Sequence, residues 1–323
     1  MAPAPEIIVD PDTYVGGVPY AVLAELRAAA PVVRVAEPAV DRWPAGPGFW
    51  AVLRHADVKA VLRDPALFSS QLGATQIRDP ATPEALAYVR RMMLNLDPPE
   101  HSRLRGLLNR AFTPRAVARL EERIAAWARD LVSGVTPAGR CDFAAVAADL
   151  PLLTLAEVFG VPAEDRWLLY DWSNRVIGYQ DRDYAVSARF GAGAGAGGAG
   201  AGGPPAAPPT AMAEQAWALR PSPAADGTMP DPRTRAGMPD LYAYAHALGE
   251  YKRAHPGDDV MSNLMAEVDT EGGRVSLEEF ENLFWLFSVA GNETLRNGLP
   301  GGLVALLADP GAQPRLRADR SLL

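Results

Sequence analysis

The 323-residue sequence predicts a mainly α-helical protein with a small β portion near the N-terminus. The main observation is a long helical stretch, Ser276 to Pro310, which opens on a capping box formed by Ser276 and Glu279. Several other segments carry a helical spacing of apolar residues and end at proline or glycine. Two short runs rich in β-branched and aromatic residues, Val32 to Val35 and Phe49 to Leu53, are the strand candidates.

Helical patterns also flank the strand candidates. Tyr20 to Ala30 is a short helical pattern stopped by Pro31, and His55 to Arg63 is a second one followed by Pro65. From Phe68 to Tyr88 the sequence is polar and irregular, and we expect a long loop there. Loops of this kind inside a compact domain are often functional.

The segment Met92 to Val117 predicts a helix with a defined start. Asp97 is a suitable N-cap, Pro98 suits the first helical position, and Glu100 completes a capping box. The remaining helical patterns are Leu241 to His255 and a helix that opens at Asp258 to Val260.

Residues 188 to 238 differ in composition from the rest of the chain. A run of Gly, Ala and Pro is followed by Pro-rich sequence up to Pro239. Such a composition buries too little apolar surface to fold, which predicts a flexible insertion over 188–238. With this insertion, residues 1–323 are expected to form a single, incomplete domain.

The composition is that of a globular protein, with 48% hydrophobic residues and a mean hydropathy of −0.05. A formal net charge of −8 argues against general nucleic-acid binding. The longest apolar run is only about ten residues, too short for a membrane span. The first residues lack the basic and apolar regions of a signal peptide, which indicates a cytoplasmic protein. The single cysteine, Cys141, excludes an intramolecular disulfide, and we interpret it as a small buried apolar residue.

The long helical stretch is interrupted at its centre by Ala290-Gly291-Asn292-Glu293-Thr294. A glycine costs about 1 kcal/mol inside a helix, and an unpaired buried carboxylate costs more, so these residues indicate a site. Ala290 and Thr294 share one helix face, and the small Ala290 and Gly291 let a flat ligand approach the backbone. Thr294 can donate to the Ala290 carbonyl, and Glu293 can carry protons. The alternative is a buried helix whose glycine is a packing notch.

A second candidate site lies in the helix predicted from Asp97. His101 and Arg105 are four residues apart and therefore share one face. An arginine fork beside an imidazole donor suits carboxylates held at a fixed place. The alternative is an exposed helix whose arginines are simply solvated.

Together and in this order, the two segments resemble the cytochrome P450 superfamily. The stretch around Ala290 is similar to the distal helix of that family, whose pattern is A-G-x-[D/E]-T. The spacing of His101 and Arg105 is similar to its propionate-binding H-x-x-x-R helix. The resemblance implies the cytochrome P450 fold and a haem b cofactor.

The resemblance also implies roles for these residues. Glu293 would be the acid and Thr294 the alcohol that deliver protons to dioxygen at the haem. Ala290 and Gly291 would form the oxygen groove beside the cofactor. The implied cofactor-binding residues are therefore His101, Arg105, Ala290 and Gly291.

The partners implied by the resemblance are O2, a hydrophobic small-molecule substrate and a ferredoxin-type electron donor that passes on electrons from NAD(P)H. The basic run from His101 to Arg123 is the expected docking surface, with Arg105 toward the haem and Arg103 and Arg110 toward the donor. The sequences DWSN and VAGNET lean toward the actinobacterial branch that oxidises sterols and related lipids.

The iron ligand is the main departure from the family pattern. In the family, a Glu-x-x-Arg helix and a Cys loop that binds the iron follow the distal helix, whereas this sequence ends at ADRSLL and Cys141 lies far upstream. We therefore expect a fold that is truncated before the haem-thiolate segment, with no axial ligand in this chain. The first interpretation is a haem-thiolate monooxygenase present as an incomplete chain. The alternatives are an inactive truncated paralogue and an all-helical lipid- or partner-binding protein without catalysis.

Overall fold

A computed structural model describes residues 3–39, 44–80, 82–135, 137, 139–179, 207–225, 227–268 and 274–322. The chain divides into two compact units: Met1–Arg90 with Leu94–Pro99, and Arg91–Met93 with Glu100–Leu323. The single domain expected over residues 1–323 stays a prediction.

The described residues of the first unit hold the β portion, three short α-helices and the 3-10 helices Pro5–Ile8 and Pro11–Tyr14. Strand β1, Val32–Val35, pairs antiparallel with β2, Phe49–Val52, and Val33 lies opposite Ala51. Both strand predictions are confirmed, since β-branched and aromatic residues favour this pleated arrangement. Leu26 is buried in the core of this unit. The helices are α1 (Tyr20–Ala29), α2 (His55–Arg63) and α3 (Pro83–Val89).

Helix α3 corrects the expectation of an irregular loop from Phe68 to Tyr88. Thr82 caps this helix by accepting a hydrogen bond from the Ala85 amide at 3.2 Å, and Pro83 takes the first helical position. The polar composition concealed the helix because only Ala85 and Val89 are buried on it.

The described secondary structure of the second unit is helical apart from an isolated parallel β-bridge between Val268 and Val275, and the expected mainly α-helical class is confirmed. Within the described ranges, no helix combines the length and the apolar character that crossing a bilayer requires. The helices are α4 (Glu100–Ala111), α5 (Pro114–Val135), α6 (Phe143–Phe159), α7 (Arg166–Ile177), α8 (Ala211–Ala218), α9 (Pro239–Ala254), α10 (Val260–Met265), α11 (Leu277–Ala308) and α12 (Ala312–Ala318).

Helix α11 is the central element of this unit and packs on α6, α7 and α9. The predicted capping box is confirmed: the Glu279 amide donates to Ser276 Oγ at 3.1 Å, and the Ser276 amide donates to Glu279 Oε2 at 2.8 Å. The buried residues of α11 all lie between Phe280 and Asn292. The helix continues through Pro300, so this proline does not end it.

Aromatic side chains join α11 to its neighbours. Phe287 stacks on Phe159 of α6 with ring centroids 4.9 Å apart. The ring centroid of Phe284 lies 5.9 Å from the ring centroid of Trp172 of α7 and 5.9 Å from that of Tyr244 of α9. Large buried rings remove much apolar area from water and dominate a core of this kind.

The start of α4 differs from its prediction. The helix begins at Glu100, so the expected first position at Pro98 is wrong by two residues. The Asp97 carboxylate instead accepts from the Ser70 amide at 2.9 Å and from the Ser69 hydroxyl. The carboxylate is thus used by a loop of the first unit, a contact that local sequence does not reveal.

The flexible insertion expected over 188–238 is wrong for its second part. Residues 180–206 lie outside the described residues, but α8 follows them and its Ala213 and Ala216 are fully buried. Trp217 packs edge-on against Trp167 of α7, with centroids 4.9 Å apart. Composition misled here because alanines bury little area individually yet allow close packing beside one large aromatic ring.

Candidate functional site

The middle of α11 presents one exposed face. Ala290 and Thr294 are exposed one turn apart, and Thr294 Oγ1 donates to the Ala290 carbonyl at 3.0 Å. This back-bond, which the sequence suggested, is confirmed. Farther along the helix, Gly298 has open space where a side chain would be. Small residues and one hydroxyl therefore line a face that suits a flat ligand.

Gly291 serves helix packing on another side of α11. A Cβ atom added there would lie 2.6 Å from Leu155 Cδ1 of α6, closer than real Cβ contacts. The glycine lets α6 and α11 approach each other, as the packing-notch alternative proposed. A contact of Gly291 with a ligand stays a prediction.

Glu293 is turned toward α7 and toward the next turn of α11. Its Oε1 accepts from Asn297 Nδ2 at 2.7 Å. Its Oε2 is paired with the Arg296 guanidinium and lies 3.4 Å from Ser173 Oγ of α7. The acid was predicted from the sequence, whereas the roles of Arg296 and Ser173 were not. The i,i+3 spacing of Glu293 and Arg296 was the available signal for the first of them.

Asn292 is fully buried within the same motif. Neither its amide nitrogen nor its amide oxygen has a hydrogen-bond partner among the described residues. A buried polar group without a partner costs about 1–3 kcal/mol, so this amide is a weak point of the core.

The second predicted pair lies on α4, where His101 is half-buried and Arg105 is exposed. Arg103 of the same helix binds Glu279 at the start of α11 and also Glu100. The two candidate segments therefore belong to one unit and are joined by this ion pair.

The environment of Glu279 stabilises its ionised form. Burial by itself raises the pKa of the Glu279 carboxyl, but hydrogen bonds from Arg103 and Ser276 and the charge of Arg103 outweigh it. The net pKa lies below its ordinary value. The same pair raises the pKa of Arg103, mainly through the hydrogen bond to Glu279.

The basic run expected to dock an electron donor is partly neutralised within the chain. Arg103, expected to face the donor, is bound to Glu279 instead. Arg119 and Arg123 lie 3.5 and 2.5 Å from carboxylate oxygens of neighbouring segments. The Arg110 side chain lies outside the described residues. Exposed pairs of this type contribute little stability and reduce the local positive charge.

Cys141 is exposed, so its interpretation as a buried apolar residue is wrong. It precedes α6 by two residues and Leu155 by 14, which is about 20 Å along a helix axis. Leu155 is the residue that meets Gly291 of α11, so Cys141 precedes the end of α6 that is remote from this contact. In the described part of the chain, no group of three or more His, Cys, Asp or Glu side chains could hold a metal ion.

A surface cavity of about 600 Å³ opens between α5, the end of α6 and the end of α9. Leu120, Val161 and Tyr251 form part of its apolar lining. The Lys252–Asp259 ion pair, 2.8 Å between the charged atoms, also borders it. None of the described residues that line it belongs to α11, so this cavity is separate from the candidate site.

Curated proteins similar in sequence to this chain include steroid monooxygenases and lipid hydroxylases, although no family model matches it. A steroid C26-monooxygenase of Rhodococcus jostii is 32% identical over 304 residues, which are 93% of this chain and 55% of the relative. A methyl-branched lipid omega-hydroxylase of Mycobacterium tuberculosis is 31% identical over 300 residues, 92% of this chain and 59% of the relative. The chain thus spans between half and two thirds of the length of these relatives.

Solved structures of similar architecture include a cytochrome P450 of Mycobacterium marinum in complex with pseudoionone. It has a TM-score of 0.66 and 30% identity, with 94% of this chain and 63% of that chain covered. A substrate-free enzyme structure from Bacillus megaterium has a TM-score of 0.64 and 25% identity, covering 95% and 66% of the two chains.

Proposed function

Because the chain belongs to the cytochrome P450 superfamily, we propose that it forms the dioxygen-side part of a haem-thiolate monooxygenase. The enzyme inserts one oxygen atom of O2 into an apolar substrate. The observation that carries the proposal is the exposed Ala290–Thr294 face of α11 with the acid Glu293 beside it. The relatives' names, a steroid monooxygenase and a lipid hydroxylase, support a sterol- or lipid-like substrate.

Haem b is compatible with the chemistry of the predicted residues. Ala290 and Thr294 leave a face free of bulk, and His101 with Arg105 offers donors to the two propionates. When bound, haem supplies the redox-active iron for O2 chemistry. Cys141 does not fit as the axial thiolate, because it precedes α6 and lies 14 residues, about 20 Å along a helix axis, before Leu155, which meets Gly291.

Each residue of the α11 motif has a role in this function. The Thr294 hydroxyl gives a proton on the exposed face, and the Glu293 carboxyl replenishes it. Ala290 and Gly291 keep the helix backbone accessible to a small molecule such as O2. The proton must pass from one side of the helix to the other, since Glu293 is turned toward α7.

Electrons are proposed to come from NAD(P)H through a ferredoxin-type donor. Helices α4 and α5 carry exposed arginines, Arg105 and Arg115 among them, which attract an acidic protein. The internal pairing of Arg103 leaves a smaller docking patch than the basic run suggested.

The substitution Thr294→Ala in the haem-loaded full-length protein tests the proposal. We expect haem and substrate binding to be kept, while product formed per reductant oxidised falls and hydrogen peroxide release rises. The loss of a positioned proton donor typically costs roughly 10²–10⁴-fold in rate. The measurement is product, peroxide and oxidised reductant in the same reaction.

Thr154→Ala is a matched control. Thr154 Oγ1 donates to the Leu150 carbonyl at 2.8 Å, so this change removes the same kind of back-bond from α6. A Thr294→Ala variant as fully coupled as the Thr154→Ala variant would refute the role of Thr294. Binding of apolar ligands by a full-length protein that takes up no haem would favour the lipid-binding alternative.

A further inference from the structure

Two sequence segments about 120 residues apart meet in one polar contact, here named the α7–α11 junction: Ser173 and Asn174 of α7 with Glu293 and Arg296 of α11. Arg296 Nη1 donates to Asn174 Oδ1 at 2.8 Å. Arg296 Nη2 donates to Glu293 Oε2, which lies 3.4 Å from Ser173 Oγ. Because Ser173 and Asn174 are adjacent, the four side chains close a ring. The sequences DWSN and VAGNET therefore contribute to one structural feature.

Arg296 is fixed from three directions. Besides its bonds to Glu293 and Asn174, its guanidinium lies 4.6 Å from the centroid of the Tyr170 ring. Its side chain is only 11% exposed. A planar guanidinium can lie flat on a ring while its fixed fork of N–H groups donates to two acceptors in the same plane, and a lysine ammonium lacks this flat fork.

The α7 side of the junction is itself held in place. Asp171 bonds Arg175 at 3.0 Å and Arg220 at 2.9 Å, and Trp172 Nε1 donates to Asp240 Oδ2 at 2.9 Å. These buried contacts fix α7 to α9 and to the segment after α8. Because Ser173 and Asn174 belong to α7 and Glu293 and Arg296 to α11, a movement of α7 against α11 would change the distances in the junction.

In the observed arrangement the acid and the alcohol are both occupied elsewhere. Glu293 Oε2 is held by Arg296 and Oε1 by Asn297, while the Thr294 hydroxyl donates to Ala290. Consecutive helical residues point about 100° apart, so the Glu293 carboxylate faces α7 rather than the Thr294 face. A proton can pass between them only after Glu293 leaves Arg296.

We infer that Arg296 is a positioning residue that holds the Glu293 carboxylate in its observed place. Because Arg296 is itself bound to Asn174 and Tyr170 of α7, release of Glu293 is coupled to the contact between α7 and α11. The inference rests on the proposed function. Each proton that Glu293 gives to Thr294 is replaced by one from solvent, and Arg296 keeps its charge throughout.

The contact itself is tested without cofactor in the 323-residue chain. Arg296→Met and Asn174→Ala are made singly and together, and urea unfolding is measured. Each variant raises the equilibrium constant of unfolding by some factor. We expect the factor for the double variant to be roughly 2- to 150-fold smaller than the product of the two single factors, because the effects of residues in contact are not additive. Arg253→Met, which breaks a surface i,i+3 pair with Glu250, should be additive with Asn174→Ala. Additivity of Arg296→Met and Asn174→Ala would overturn the inference.

The positioning role is tested in the haem-loaded full-length protein. Arg296→Lys and Asn174→Ala should each lower kcat and product per reductant by roughly ten- to a hundredfold, the cost of a misplaced group, with KM unchanged. Arg253→Met should leave all three values unchanged. The inference would be overturned, and the proposed function left intact, by one combination of results. Both junction variants would keep their kcat and their product per reductant, while Thr294→Ala would form less product per reductant. A fully coupled Thr294→Ala variant would instead remove the proposed function, and the proton-delivery role of Arg296 with it.

Discussion

Gly291→Ala and Gly298→Ala change the same helix in the same way and are expected to differ in stability. Both residues lie inside α11. A Cβ at Gly298 meets nothing within 4 Å, whereas a Cβ at Gly291 lies 2.6 Å from Leu155 Cδ1. Comparing the two variants therefore separates two contributions to stability: the intrinsic helix preference of alanine and the packing of α11 on α6.

The magnitudes follow from these distances. Replacing an interior helical glycine by alanine gains roughly 1 kcal/mol, and Gly298→Ala should show this gain in full. At Gly291 the buried Leu155 must move within a packed core, and overpacking costs about 1–3 kcal/mol. Gly291→Ala is thus expected to lose about 0–2 kcal/mol net, which places the two variants about 1–3 kcal/mol apart in the free energy of unfolding.

The assay is urea unfolding of the 323-residue chain followed by far-ultraviolet circular dichroism, compared at equal m-values. In a Leu155→Ala background, which itself costs about 2–5 kcal/mol, the difference between the two glycine variants should disappear. Equal stability of Gly291→Ala and Gly298→Ala in the unmodified background would refute the close approach of α6 and α11.

Two further predictions concern polar groups of the second unit. Asn292→Leu removes the unpartnered buried amide at similar volume and should raise the free energy of unfolding by about 1–3 kcal/mol, measured by the same urea assay. A loss of stability would mean that a water or ligand satisfies the amide. Arg103→Met removes the cation that lowers the pKa of Glu279, so the stability lost should be greatest above about pH 4.5 and shrink as the pH falls through the lowered native pKa. An unfolding series from neutral to acidic pH checks this, and a difference independent of pH would contradict it.

The parts of the fold that sequence predicted best are those with local signals. The capping box of Ser276 and Glu279 is a pattern within four residues, and it marks the start of α11 correctly. The residues of the two strands and of α2 themselves favour strand and helix, so these elements can be predicted from local sequence. The Thr294 back-bond to Ala290 follows from helix geometry alone, which is why it could be foreseen.

The errors concern contacts made across the chain. Asp97 looks like a helix cap until its loop partner Ser70 is known, and Cys141 looks apolar until its exposure is seen. Arg296 could be suspected from its spacing to Glu293, but its bond to Asn174 joins residues 122 positions apart. No periodicity or composition argument predicts such pairs, because they depend on how helices meet.

Helix α11 spans 32 residues, about 48 Å, and past Asn292 none of its residues is buried. Its first half is held by the core and Glu293 and Arg296 by the α7–α11 junction, whereas the 12 residues from Asn297 to Ala308 have a length at which an isolated helix is marginal in water. Backbone amides before Asn292 should exchange hydrogen mainly through global unfolding, and those after Arg296 through local fraying. Glu293 and Thr294 lie next to this boundary. Beyond it, the helix can open locally while the rest of the unit stays folded.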